Sequence, residues 1–303
     1  MTTPYGAELT DVTVRYGRRR TDEAALDHVS FTVRPGTITG LLGRNGAGKS
    51  TALSLLASLR RPTSGTVLVN GVDPFEDAVV MAGVQLVRES GDVLGDTSIN
   101  ETLGYYDELR PHWDGDYARA LLDQFDVDPR TTPAKLSRGK KSALGCIVGL
   151  ASRAPLTIFD ESYLGMDAPS RYAFYDALLD DYTDHPRTIV VSSHLIEEVE
   201  RLFEDVVMLH RGRTLVSETA DALRSRAVSL VGPSTAVSKL ADEHRVLATR
   251  NLGGTTQLTL EGSLEPAEIA LARDAGIEIA RVSIQDLFIH LSQEPDPMKE
   301  DAR

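Results

Sequence analysis

Residues 43–51 read GRNGAGKST. The stretch fits the pattern G-x-x-x-x-G-K-[ST], with Gly43, Gly48, Lys49 and Ser50 in the fixed places. Its flanks suit the pattern. The apolar run PGTITGLLG before it predicts a short strand that ends in glycine, and ALSLLASL after it has helical spacing. Strand, glycine-rich loop and helix together make a phosphate cradle. Gly46 and Gly48 let the backbone approach an anion closely, and Asn45 and Ala47 complete the loop. The loop amides and the helix N-terminus turn partial positive charge toward the phosphates. Lys49 can reach the β- and γ-phosphates, Ser50 can ligate Mg²⁺, and Thr51 adds a further hydroxyl.

A partner for this loop lies downstream. PLTIFDES is an apolar strand that ends in Asp160 and Glu161. A carboxylate at the C-terminal end of such a strand can hold Mg²⁺ directly or through water. Glu161, one step further, can orient or deprotonate an attacking water. Among the seven histidines, His194 stands apart, because it follows the strand TIVVSS at the edge where ligands gather in open α/β sheets. The order LTIFD, SRYAFYDALLDD, TIVVSS, LIEEVERLF, DVVMLH alternates strand and helix, so parallel strands with crossover helices are expected.

Working outward, AELTDVTVRYG and LDHVSFTV alternate as strands and predict an antiparallel N-terminal β region. The basic run RRR at 18–20 between them reads as a solvated loop. From about Ile99 to Leu150 the texture is helical, which places a helical subdomain, at about 88–152, inside an α/β core. The expected division is a main domain over 1–222, a small α+β appendage over 223–292, and a disordered, Pro-rich and charged tail over 293–303.

Composition bounds the role. The chain has 303 residues, of which 41% are hydrophobic, enough for a real core. Lys plus Arg number 32 against 45 Asp plus Glu, a net charge of -13, so a nucleic-acid partner is not expected. The single cysteine, Cys146, lies in an apolar helical pattern and reads as a packed core residue. No leader pattern and no apolar run of membrane-crossing length stand out, so the expectation is a soluble, cytoplasmic protein without direct membrane insertion.

Residues 136–142, LSRGKKS, pose a question. Ser137 is a natural N-cap for the apolar helix that follows. A capped N-terminus is also an anion site.

These residues, in this order, resemble the nucleotide-binding subunit of ABC transporters over roughly residues 7–218. GRNGAGKST looks like that family's Walker A loop and LTIFDE like its Walker B strand with the catalytic glutamate. SYLGMD matches the D-loop in Gly165 and Asp167, SSH resembles the switch that presents His194 to the γ-phosphate, and VRYG offers Tyr16 where the family stacks an aromatic ring on adenine. LSRGKKS takes the place of the family signature, which closes over ATP held by the Walker A loop of a second subunit. Ser137 and Gly139 persist, Arg138 stands for the first glycine of the usual pattern, and Lys140 stands for its glutamine. The turn either does not need a glycine at 138 or is altered, and the added charge could also help hold phosphate. Where the family places a glutamine that touches Mg²⁺, Glu89 is favoured over Gln85, counting back from Ile99.

The resemblance implies a P-loop NTPase core of ABC type that binds ATP and Mg²⁺ and hydrolyses ATP. It implies a head-to-tail dimer, a separate membrane-spanning subunit, and a place on the inner face of the cell membrane. The WD of PHWDGDYARALLDQFDVD and LSRGKKS look like the ABC-2-type exporter branch. The alternative is a soluble ABC-type switch or regulator that acts without a transporter.

Overall fold

The computed structural model describes residues 3–16, 23–89, 93, 95–241 and 244–293. Its contacts divide into two units: Met1–Leu195 with Arg201–Ser217, and Ile196–Glu200 with Glu218–Arg303. The contact division falls at Glu218, whereas the sequence suggests 222/223. The basic run at 18–20 lies outside the described residues, as does the 293–303 tail apart from Gln293.

The first unit opens with β1 (Ala7–Arg15) and β2 (Ala24–Val33), followed by β3 (Ile38–Leu42), α1 (Lys49–Leu56) and β4 (Ser64–Val69). A short α2 (Ala78–Ala82) leads to β5 (Val84–Arg88). Three helices then intervene, α3 (Ile99–Leu109), α4 (Gly115–Gln124) and α5 (Arg138–Ala151), before β6 (Leu156–Asp160). The core continues through α6 (Ala168–Asp184), β7 (Thr188–Ser193), β8 (Asp205–His210) and β9 (Arg213–Thr219), while α7 (Ile196–Val199), between β7 and β8 in the chain, belongs to the second unit.

β1 pairs antiparallel with β2 and with β4, giving a three-stranded sheet. The larger sheet runs β5-β6-β7-β3-β8-β9, and β5, β6, β7, β3 and β8 pair parallel. Its central strands β3, β6 and β7 are buried along their whole length. A parallel sheet covered on both faces requires such continuous apolar runs. Ala52, Leu53, Leu55 and Leu56 of α1 pack in one core with Leu9 and Val14 of β1 and Leu41 of β3. That packing fixes the loop at the head of α1.

A buried ion network ties the helical layer to this sheet. Arg187, just before β7, meets Asp181 of α6 at 2.7 Å, both nearly inaccessible. Arg153, after α5, meets Asp181 at 3.3 Å and Asp114, the N-cap of α4, at 2.8 Å. Cys146 is buried in α5, unpaired, its thiol pushed up to about 12 by burial, which fits the core reading.

The second unit contains α8 (Ala220–Arg224), β10 (Ala227–Pro233), α9 (Ser234–Ala241), β11 (Val246–Leu252), β12 (Thr255–Glu261), α10 (Pro266–Asp274), β13 (Glu278–Arg281) and α11 (Ile284–Gln293). Its sheet is antiparallel in the order β11-β12-β10-β13. Leu230, Val237, Leu258, Leu260 and Ala272 form a core of its own. Strand β13 and helix α8 do not stand out in the sequence, being too short for periodicity to show.

Candidate active site

Glycine shapes the loop between β3 and α1. Gly46 has φ 80° and Gly48 φ 105°, the left-handed region that side chains resist. A Cβ on Gly48 would stand 2.6 Å from Leu26 Cδ2 and 2.8 Å from the Ala25 carbonyl oxygen. A Cβ on Gly46 would meet nothing within 4 Å. Close packing therefore requires glycine at 48, while the loop at 46 lies open for an anion. Asn45 is exposed, and Ala47 is buried with its N–H bonded to the Arg44 carbonyl at 3.0 Å. Ser50 is exposed in the first turn of α1, and Thr51 beside it is buried.

Lys49 points back over the loop. It is 5% exposed, and its Nζ donates to the Gly43 carbonyl at 2.8 Å and to the Arg44 carbonyl at 3.3 Å. Its third neighbour is Glu161 Oε1 at 3.1 Å. His194 Nδ1 stands 2.9 Å from the same oxygen. Lys49, Glu161 and His194, which the sequence reading draws from three separate motifs, thus meet at one atom. Burial pushes the Glu161 carboxyl up, but the His194 hydrogen bond and the Lys49 ammonium outweigh it and hold the group below its ordinary value.

Glu161 itself has φ 50°, strained backbone for a residue with a side chain. Ser192, one residue from the end of β7, helps hold that turn. Its Oγ accepts from the Glu161 N–H at 3.1 Å and donates to Asp160 Oδ1 at 2.6 Å. Ser192 is completely buried. The sequence reading passes over it as a bystander in SSH, although its place two residues before His194 was the available signal.

The other candidates gather nearby or elsewhere. Tyr16 donates to or accepts from the Thr51 hydroxyl at 2.9 Å, and its ring is 62% exposed. Asp167 caps α6, accepting from the Ser170 N–H at 3.0 Å, and that hydrogen bonding holds its carboxyl below the ordinary value. Ser137 caps α5 by accepting from the Lys140 N–H at 3.3 Å and is exposed. Gly139 lies in the first turn of α5, where a Cβ would come 3.1 Å from the Gly165 carbonyl oxygen.

Arg138 enters the helix without positive φ, so this turn needs no glycine. Its guanidinium pairs with Glu89. Lys140 reaches the Phe125 carbonyl and the Asp126 carboxylate, each at 2.8 Å. Both added charges of the signature are therefore engaged within the chain rather than held out for phosphate. Gln85 is buried beside Thr157 near the start of the edge strand β5, with Nε2 donating to the Leu86 carbonyl at 3.2 Å. Glu89 follows Arg88, which pairs in register with Asp160, so Glu89 and not Gln85 stands at the sheet's C-terminal edge.

Among the described residues no group of three His, Cys, Asp or Glu is gathered to cage a metal ion. The donors that are present, the Ser50 hydroxyl and the Asp160 carboxylate, suit Mg²⁺ nonetheless. That ion takes one or two protein oxygens and fills its shell with water and substrate phosphates. A cradle with open space at Gly46 beside a hard carboxylate fits a Mg²⁺-bound phosphate chain.

Residues 26–163 match the family model described as ABC transporter. That match takes in the phosphate loop, the head of α5, Asp160 and Glu161, and leaves Tyr16, Asp167 and His194 outside it. The chain is similar to the ABC transporter ATP-binding protein YtrB of Bacillus subtilis (strain 168), 29% identical over 58% of this chain and 61% of that protein. It is similar to the daunorubicin resistance ATP-binding protein DrrA3 of Streptomyces coeruleorubidus, 26% identical over 95% of this chain and 96% of that one. The match thus spans less than two thirds of YtrB and nearly all of DrrA3. Among solved structures, an ATP binding subunit of an ABC transporter superposes with a TM-score of 0.64 at 26% identity, over 72% of this chain and 91% of the other. By fold and by sequence alike, residues 26–163 of this chain match the ABC transporter family model, and the chain is similar to ATP-binding subunits of ABC transporters.

Proposed function

We propose that this chain is the motor subunit of an exporter, working as a head-to-tail pair of copies on a separate membrane-spanning subunit. The observation that carries the catalytic half of the reading is the convergence of Lys49 and His194 on Glu161 Oε1. In this reading Lys49 exchanges its loop carbonyls for the β- and γ-phosphates of ATP. Glu161 is ionised and takes the proton of a water that attacks the γ-phosphorus. The bond from the water oxygen forms as the bond to the bridging oxygen breaks. His194 holds the Glu161 carboxylate in place and then faces the γ-phosphate. Ser50 and Asp160 would hold Mg²⁺, and Glu89 would be a further ligand. Bound Mg²⁺ supplies charge neutralisation on the phosphates.

The second half of each site comes from α5 of the other copy. Ser137 is exposed and Gly139 half-buried at that helix end, and the free amides there are suited to the γ-phosphate. Asp167, at the head of α6, belongs to the same interface. Tyr16 lies against the nucleobase.

No helix among the described residues is long and apolar enough to cross a membrane; in this reading the transport path belongs to another polypeptide. The docking face is the helical layer α3–α5 together with the recess beside it. That recess, of about 230 Å³, is lined by Leu59, Met81, Leu86 and Arg110 among others. The location is the cytoplasmic face of the membrane. The similarity to a drug-resistance ATP-binding protein favours export.

The test is size-exclusion chromatography of Glu161→Gln in Mg²⁺ with and without ATP. An ATP-dependent shift from monomer to dimer is expected. ATP binding without dimerisation would remove the homodimer and leave a different partner chain or a regulator.

A further inference from the structure

Arg60 is a residue for which neither the sequence motifs nor the site described above has a use. Its guanidinium carbon lies 3.9 Å from the centroid of the Tyr16 ring. The same ring is tied at its hydroxyl to Thr51, 2.9 Å away. Thr51 is buried in the first turn of α1, next to Ser50. The loop that carries Arg60 is itself fixed to β1, through the Arg15 N–H on Thr63 Oγ1 at 3.0 Å and the Thr63 N–H on the Thr13 carbonyl at 2.8 Å. Tyr16 follows β1 directly, so ring and guanidinium are carried by two segments bonded to each other.

An exposed tyrosine on a strand end would ordinarily sample several rotamers. This one is held at its oxygen and over one face. A cation over an aromatic ring within about 6 Å is attracted by the negative face of the ring. With its hydroxyl anchored and one face covered, the ring keeps its other face for stacking and has little rotamer freedom left to lose. The direction of approach decides which face is free. Arg60 comes from beyond the carboxyl end of α1, whereas the phosphate loop lies at the amino end. A base joined to phosphates in that loop would need the ring face that Arg60 leaves open.

We propose that Arg60 is a positioning residue for the nucleobase: it backs the Tyr16 ring and presents the free face to the purine. This inference rests on the reading that Tyr16 lies against the base. It assigns Arg60 no contact with phosphate and no part in the hydrolytic step.

The test is calorimetric titration of the full chain and its variants with ATP and, separately, with inorganic tripolyphosphate, which has no base. Arg60→Ala is expected to weaken ATP binding about two- to five-fold, the size of an exposed cation–ring contact. Tripolyphosphate binding should stay as in the parent protein. Arg60→Lys, which keeps the cation and loses the plane, should recover part of the loss. In a Tyr16→Leu background, Arg60→Ala should cost nothing further. Unchanged or tighter ATP binding by Arg60→Ala overturns the proposal, the second because Arg60 would then compete for the face. Equal loss for tripolyphosphate, or full additivity with Tyr16→Leu, also overturns it, since a general charge effect would be at work. If Tyr16→Leu binds ATP as the parent does, the Tyr16 reading falls and this inference falls with it. A loss in Tyr16→Leu with none in Arg60→Ala sinks the inference alone.

Discussion

Lys49 of the phosphate loop and Glu161 at the end of β6 form an ion pair at 3.1 Å, with the lysine nearly inaccessible. Two residues more than a hundred positions apart in the chain thereby share one small space. All three ammonium donors of Lys49 are satisfied by protein oxygens, at Gly43, Arg44 and Glu161. An arriving triphosphate must exchange for them, and it offers stronger, charge-assisted acceptors in return.

Lys49→Ala should therefore lose nucleotide before it loses chemistry. Charge-assisted hydrogen bonds contribute about 1.5–3 kcal/mol, so a drop in ATP affinity of roughly ten- to a hundred-fold is expected. Titration with ATP and a steady-state hydrolysis assay check it. Turnover at the parent level would remove Lys49 from the site.

Glu161→Gln should bind ATP and fail to hydrolyse it. A positioned general base contributes about 10²- to 10⁴-fold, and a loss in kcat of that order is expected. His194→Ala should lower kcat as well, and because both act on one oxygen the double variant should be little worse than Glu161→Gln alone. Parent-like turnover in Glu161→Gln rules out the base assignment.

The pH response follows from the lowered Glu161 carboxyl. The ionised form is the competent base, so the Glu161 contribution to kcat/KM, which reports the free enzyme, should persist down through the ordinary carboxylate range, near about 4.3, and fall only below it. The sign for stability is the same. A folded value held below the unfolded one adds stability above the unfolded value, and this is lost as pH falls through the folded value. Urea titrations of parent and Glu161→Gln against pH check it: the gap between them should shrink on acidification, and a gap that widens contradicts the assignment.

Ser192→Ala should unsettle both acidic residues at once. Its Oγ serves Asp160 Oδ1 and the Glu161 N–H in a fully buried setting. Leaving buried partners unsatisfied costs about 1–3 kcal/mol, visible as a lower denaturation midpoint. The Mg²⁺ dependence of hydrolysis should shift in parallel. A variant with parent stability and parent Mg²⁺ dependence would show that Ser192 holds neither group.

The Arg138–Glu89 pair is largely exposed, so breaking it should change stability by about 0–1 kcal/mol at most. Its effect should appear in assembly. Arg138→Glu sets like charges against each other at the head of α5 and should weaken ATP-dependent dimerisation, while Glu89→Arg with Arg138→Glu should recover part of it. Sedimentation velocity with ATP in the Glu161→Gln background reads this out. If the single and double variants dimerise equally well, the pair does not govern how α5 is presented.

Local chemistry was legible without a structure. GRNGAGKST predicts its own loop because glycine conformation, helix-end charge and lysine reach are properties of neighbouring residues. The buried strands, the helices between β5 and β6, and the N-cap at Ser137 were readable for the same reason: periodicity and capping act within a few positions. Asp160, Glu161 and His194 could be named because each ends or follows a strand that declares itself.

What the sequence could not say is which of these distant residues touch, since contact between them depends on strand order and not on spacing. The order β6-β7-β3 puts Ser192 beside Asp160 and brings Glu161 to Lys49. Pairing of β5 with β6 also leaves Glu89 beyond the C-terminal end of β5, while Gln85 is buried near its start. Arg138 and Lys140 read as free charge in the sequence, yet folding supplied each with an acidic partner. Arg60 had no motif to mark it, and only the loop bonded to β1 carried its guanidinium over Tyr16. The sequence by itself determined the chemical groups and the local elements that bear them. Tertiary structure decided their pairing, because an ion pair or a ring contact exists only once the parallel sheet has closed the distance between segments far apart in the chain.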